Sequence, residues 1–261
     1  MPILGVIGGS GMPDIPGLTI TDSVKIDTPF GEPSDIYKVG TLSSKEVAFL
    51  PRHGSLHHIQ PHKINYRANI WGFRELGVRT IISIGASGGI SDWTEPGMLT
   101  VPDQIIDMTS GRLSTFYDKG EVVHVDFTEP FCADLRNRIF AAAERSGVEV
   151  RKSGVYICVN GPRLETTAEI KTFSLWGADF VGMTAMPETS LARELEICFA
   201  SISVITNFAA GIGKKKLTAT EVVEAMRASR EKLRPLLREL VTSDSPELAC
   251  SCRETLKEAK L

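Results

Sequence analysis

Three stretches of the chain place anion-binding residue types where an apolar run gives way to a turn. Gly8-Gly9-Ser10-Gly11 follows the apolar residues 3–7, and Pro51-Arg52-His53-Gly54 follows residues 46–50. Gly182-Met183-Thr184-Ala185-Met186-Pro187-Glu188 follows Phe180-Val181. Glycines after a strand let backbone come close to a phosphate, and Ser10 adds a hydroxyl. Arg52 offers a planar two-pronged donor beside the His53 imidazole. In the third stretch Pro187 suits the first turn of a helix and Glu188 its positive end. Backbone N–H groups then converge where the Thr184 hydroxyl sits, a corner able to hold an anion. Each stretch also has a plain reading: a tight turn, a surface ion pair, a buried strand-to-helix turn without ligand. A further small-residue loop, Gly85-Ala86-Ser87-Gly88-Gly89, follows the run Thr80–Ile84. Ligands of open α/β sheets sit at such strand ends, so the set together points to a phosphate pocket.

Other chemistries are less well served. Four of the five histidines, His53, His57, His58 and His62, fall in one run with i,i+4 spacings. Pro51, Gly54 and Pro61 spoil a helix through them and no cysteine or carboxylate completes a shell, so no metal is assigned. A dinucleotide fingerprint would need G-x-G-x-x-G, but Gly9-x-Gly11 is followed by Asp14, with Pro13 and Pro16 nearby. Gly213-Lys214-Lys215-Lys216 lacks the hydroxyl residue of a P-loop, and its lysines read as a solvated flexible loop. Five cysteines without an export signal read as reduced thiols. Cys250-Ser251-Cys252 is either a redox or disulfide element of a tail or two incidental thiols, and the incidental reading is favoured.

The elements that must carry these residues alternate between strand and helix. Strands are expected at 3–7, 46–50, 80–84, 153–159, 180–181 and 200–205, with short ones at Leu99–Pro102 and Gln104–Asp107. Helices are expected from Ile64 to about Leu76 before Gly77, over 131–146 before Gly147, over 167–176, from Pro187 to 195, and over 219–241. Thr218 and Glu221 form a capping box for the last, and Pro235 kinks it. Residues 109–130, which contain His124, form a long polar excursion of functional or interfacial character. The fold class is α/β: one domain over 1–261, a mostly parallel or mixed central sheet flanked by helices, and residues about 243–261 as a C-terminal tail.

At 261 residues and 42% hydrophobic, the chain can bury a sizeable core without staples. Its net charge of −3 implies no basic face, which argues against nucleic acid as a partner. No apolar run approaches the ~18 residues of a membrane span, and the N-terminus lacks the basic lead of a signal peptide. The protein is read as cytoplasmic.

Taken in order, Gly8–Gly11, Pro51–Gly54, Asn65-Tyr66-Arg67-Ala68-Asn69, Gly161-Pro162-Arg163-Leu164-Glu165-Thr166, Gly182–Glu188 and Thr206-Asn207 resemble the trimeric purine nucleoside phosphorylase and methylthioadenosine phosphorylase family. The resemblance covers nearly the whole chain. It implies a homotrimer or dimer of trimers and phosphorolysis of a purine N-glycosidic bond, with inorganic phosphate as co-substrate and no cofactor. By position, Ser10, Arg52, His53, Ala86 and Thr184 would hold phosphate, and Met183 would lie under the ribose. Glu165 and Asn207 would face the base, with Asn207 and His53 the catalytic pair. His124 would reach a neighbouring subunit's site, and Ala219 or Thr220 would line the 5′ end of the sugar.

Phosphate is the nucleophile in such a reaction, so the protein must position it and stabilise a cationic sugar and a departing purine. Asn207 can meet the purine N7 and O6, and the Glu165 carboxylate can accept from N1–H, which 6-oxopurines have and adenine lacks. Methylthioadenosine members of the family place aspartates where Asn207 and Ala209 stand. The departure at both positions favours inosine or guanosine. No histidine near Ala219 offers itself to a 5′-hydroxyl, so 5′-methylthioinosine is a variant and methylthioadenosine the alternative. Two other classes stay open: a binding module without turnover, and a nicotinamide dehydrogenase, which the broken glycine fingerprint disfavours.

Overall fold

The most continuous apolar runs become the innermost strands, as expected of strands covered on both faces. β1 (Leu4–Gly8) is buried along its whole length and pairs in parallel with β4 (Lys45–Pro51) on one side and β5 (Thr80–Gly89) on the other. β5 pairs along its far edge with β11 (Cys198–Phe208), also in parallel. Beyond β4, β3 (Tyr37–Leu42) and β2 (Thr19–Val24) add antiparallel strands. Beyond β5, β10 (Phe180–Gly182) enters antiparallel, followed in parallel by β9 (Val155–Val159) and β7 (Gln104–Met108). β6 (Leu99–Thr100) and β8 (Val150–Arg151) extend the β11 edge. Among the described residues the result is one mixed sheet of eleven strands. The computed structural model describes residues 4–213, 218–242 and 249–260. The expected strand start at residue 3, the Lys214–Lys216 loop and residues 243–248 of the expected tail lie outside the described residues.

Helices cover both faces. Alternate residues of β5 point opposite ways, and so do those of β11. Ile82, Ile84, Ala200, Ile202 and Val204 join a core with α2 (Ala133–Ser146) and α5 (Ala219–Thr242). Ile81 and Phe199 join another with α1 (Tyr66–Glu75) and α4 (Ala185–Glu194). α3 (Thr167–Leu175) closes a smaller cluster over Ile157 and Val181. Local chemistry sets the ends. Asn65 caps α1 by accepting from Ala68 N, Gly147 ends α2 in the left-handed region, and Thr166 and Glu169 form a reciprocal capping box on α3. Glu221 N donates to the Thr218 hydroxyl at the head of α5, and Pro235 lies inside that helix, which continues to Thr242.

Two expectations change. Gly85–Gly89 is not a loop but the continuation of β5, because β11 supplies a hydrogen-bonding partner along its length. The β2–β3 hairpin was not foreseen: β2 is exposed on both faces and carries no alternating apolar pattern to announce it. Residues 109–130 contain no helix or strand, as expected of the excursion. They are held by side chains such as Arg112, which donates to the Asn160 carbonyl, and by a bridge between Val123 and Lys260.

Candidate active site

A gap in the sheet makes the site. β1 leaves β5 after the Gly8–Ile84 pair, and β10 joins the same edge only at Gly88. Between them, Gly85, Ala86 and Ser87 have no strand beside them on that edge among the described residues, and a cavity opens there. Its lining includes Ser10, Arg52, His53, Ala86, Glu165, Met183, Thr184, Val222 and Asn207. The chain brings these together from the ends of β1, β4, β5, β10 and β11, the loop before α3, and the first turns of α5.

At one end Arg52 lies fully buried beneath the Gly9 turn. Its Nε and Nη2 donate to the two Glu188 oxygens at 2.5 and 3.2 Å, Nη2 also reaches Ser83 Oγ, and Nη1 reaches the Ile84 carbonyl. Of five guanidinium N–H groups, one on Nη1 is left without a partner among the described residues. A Cβ on Gly9 would stand 2.7 Å from that Nη1, so only glycine lets the turn pass over it. Glu188 was expected to serve a helix end; its buried position makes it the counter-charge that keeps Arg52 folded inside the protein. Met186, just before Pro187, is extended rather than helical, so the regular helix begins at the proline. Thr184 precedes this turn, and its side chain makes no capping bond.

His53 is buried beside Arg52, and its Nδ1 lies 2.8 Å from the Ile59 carbonyl. A carbonyl only accepts, so Nδ1 carries the proton. Burial, and then the Arg52 charge, push the imidazole down to about 4. At neutral pH it is therefore uncharged, with a lone pair on Nε2. His57, 4.8 Å away ring to ring, places Nε2 3.4 Å from Ser10 Oγ.

At the other end Asn207 sits at a bulge where β11 slips against β5. Its Nδ2 donates to the Phe208 carbonyl at 2.8 Å and its Oδ1 accepts from the Thr206 hydroxyl at 2.8 Å, which orients the amide. Ala209 is buried and brings no polar group. Arg163 is committed to Glu169 through two bonds of 2.9 and 2.7 Å, which braces the loop. Glu165 is left without a hydrogen bond or ion pair to another residue among the described ones, and burial raises its carboxyl above the usual range. Between the two ends lies Met183, packed where Gly161 adopts φ +60°; a Cβ there would come within 2.3 Å of the Met183 sulfur.

Not every expected residue lines the cavity. Thr220 is exposed and is not among the residues lining the cavity, and the Ala219 side chain lies outside the described residues. The wall that α5 contributes is Val222. His124 is exposed on the excursion and lines no part of this chain's cavity. The Asn65–Asn69 segment is a brace: Asn65 donates to the Phe30 carbonyl, and Asn69 bonds Ser34 through both ends of its amide. Ser87 was passed over. Its hydroxyl is buried in the cavity wall with no hydrogen-bond partner among the described residues. Its place in a run of small residues held the only sequence signal.

Residues 3–242 match the model of the Phosphorylase superfamily. The chain is 47% identical over 257 residues to a protein of Thermodesulfovibrio yellowstonii named probable S-methyl-5′-thioinosine phosphorylase, covering 98% of this chain and 96% of that one. It is 45% identical over 266 residues to the 6-oxopurine nucleoside phosphorylase of Pyrococcus furiosus, covering 99% of each. Among solved structures, methylthioadenosine phosphorylase from Schistosoma mansoni in complex with adenine superimposes with a TM-score of 0.94 at 31% identity, over 100% of this chain and 99% of that one. The chain belongs to the phosphorylase superfamily. Among the described residues no helix is long and apolar enough to cross a membrane.

Proposed function

We propose that this protein is a purine nucleoside phosphorylase that prefers 6-oxopurine nucleosides, including those with a 5′-methylthio group. The observation that carries it is the division of one cavity into an anion end and a base end, with Met183 between them. Ser10, the free Arg52 N–H, the strand edge at Ala86 and Thr184 hold the phosphate. Hydrogen phosphate keeps one O–H, which donates to the His53 Nε2 lone pair. His53 thereby orients the anion through this hydrogen bond, and its low basicity leaves the proton on the phosphate as it attacks. A phosphate oxygen bonds C1′ while the C1′–N9 bond breaks, and the electron pair leaves with the purine. N7 takes up a proton from solvent in place of the one the new phosphate ester releases to it, and Asn207 Oδ1 accepts the resulting N7–H. Products are the free base and ribose 1-phosphate, or 5-methylthioribose 1-phosphate. No cofactor enters.

Glu165 accepts from the N1–H of a 6-oxopurine, and the apolar Ala209 offers nothing to an adenine amine. Buried polar groups left unpaired make such a site reject the wrong base strongly. Val222 gives the 5′ end an apolar wall suited to a methylthio group. That wall also supports the second reading, release of adenine from methylthioadenosine. The active form is a homotrimer or dimer of trimers in the cytoplasm, one domain per chain, with His124 entering the neighbouring copy's site. The test is phosphate-dependent base release from inosine, adenosine, methylthioinosine and methylthioadenosine side by side. The two inosine compounds are expected to win, and their ratio reports the 5′ wall. Faster release from methylthioadenosine would overturn the base assignment; saturable binding with no release would overturn the enzyme itself.

A further inference from the structure

Away from the cavity, four of the five cysteines meet. Cys132, Cys198, Cys250 and Cys252 place their sulfurs within 4.8 Å of one another, and three of the four residues are buried. They come from separate elements: the N-cap of α2, the first residue of β11, and the short turn near the C-terminus at Ser251–Glu254. Incidental thiols, as the tail pair was first read, do not gather from three elements onto one point.

We propose that these four cysteines form a structural site for a single thiophilic divalent ion of the zinc type. Tetrahedral Zn–S bonds of about 2.3 Å separate the sulfurs by about 3.8 Å, so small adjustments suffice from the present spacing. Cys198 and Cys250, the pair 3.3 Å apart, would open slightly around the ion. The surroundings suit thiolates. The Leu135 N–H donates to Cys132 Sγ at 3.4 Å, and the Arg193 guanidinium lies 3.7 Å from Cys252 Sγ. A cation beside the set offsets the excess negative charge that four thiolates leave on a divalent ion. Cys250 is partly exposed and gives the ion its way in.

The ion would tie the C-terminal segment to the core. Leu256 N donates to Glu196 from that segment, and the Ala259 carbonyl accepts from His124 N. Metal occupancy would therefore also steady the excursion that carries His124. The site does not depend on the proposed reaction.

Metal content and thiol count of the full-length protein, purified without chelator, test this directly. The expected result is about one zinc per chain by native mass spectrometry. All five thiols should titrate once the protein is denatured with chelator. Cobalt replacement should give the intense near-ultraviolet charge-transfer bands of thiolate ligation, absent in Cys250→Ser and Cys252→Ser. The cobalt spectrum uses the unaltered chain, so it stands even where a variant fails to fold. A reduced protein that takes up neither ion overturns the site. So does a purified protein in which Cys158 alone titrates, because the four sulfurs would then be two disulfides. Iron in place of zinc overturns the assignment of the ion.

Discussion

At the scale of single residues, the site works by leaving a few groups uncommitted. Among the described residues Arg52 retains one N–H, Glu165 a carboxylate and Ser87 a hydroxyl without a partner, while their neighbours are tied to one another. Base choice should rest on Asn207: replacing it with aspartate creates an acceptor for a 6-amino group. Asn207→Asp is expected to move the ratio of inosine to adenosine turnover at least about tenfold towards adenosine, measured as kcat/KM for each. An unchanged ratio would remove Asn207 from base recognition. His53 makes a second prediction. Its folded value near 4 lies below the ordinary imidazole value of 6.5, so the unfolded chain binds the extra proton between them. Stability is therefore fully present above pH 6.5 and falls as pH drops towards 4, by up to about 3 kcal/mol from this residue. Urea unfolding of the native protein and His53→Gln at several pH values isolates that slope. Parallel curves for the two would mean that His53 is not buried neutral.

Elements decide whether those residues meet. The glycine turn after β1 has to cross the Arg52 guanidinium, and a methyl group there would stand 2.7 Å from Nη1. Gly9→Ala should raise KM for phosphate about tenfold or more, with a smaller change for the nucleoside, because the anion end is displaced and the base end is not. Equal rises in both would place the turn outside the phosphate end. The loop before α3 makes the reciprocal case. Thr166→Ala removes half of the capping box, costing about 1 kcal/mol, and loosens the loop that carries Glu165. Its signature should be a higher KM for inosine at unchanged KM for phosphate. A rise in the phosphate KM instead would show that the loop serves the other end.

The whole molecule offers one further clue. The excursion around His124 exposes Leu113 at 60% and Val122 at 52%, apolar surface of the kind that another copy covers. Sedimentation is expected to report a trimer or hexamer, and His124→Ala should lower activity without changing that assembly. A fully active monomer would refute both the shared site and the neighbour's contribution.

Some of this was written in the local sequence. Strand-end glycines, the Arg52-His53 pair, the capping residue Thr218 and the helical periodicity of α2 are short-range signals, since each rests on residues close together in the chain. They sufficed for an α/β fold with an anion site at its strand ends. Long-range pairing was beyond them. Glu188 stands 136 residues after Arg52 and Ser83 31 residues after it, so nothing local joined them. The continuation of β5 through its glycines depended on β11, more than a hundred residues away. Likewise, four cysteines scattered from residue 132 to residue 252 became a cluster only when α2, β11 and the C-terminal turn packed together. Residue chemistry and spacing determined what the site could bind; strand pairing and burial decided which of those groups were left free to bind it, because only folding removes some partners from water and commits the others to each other.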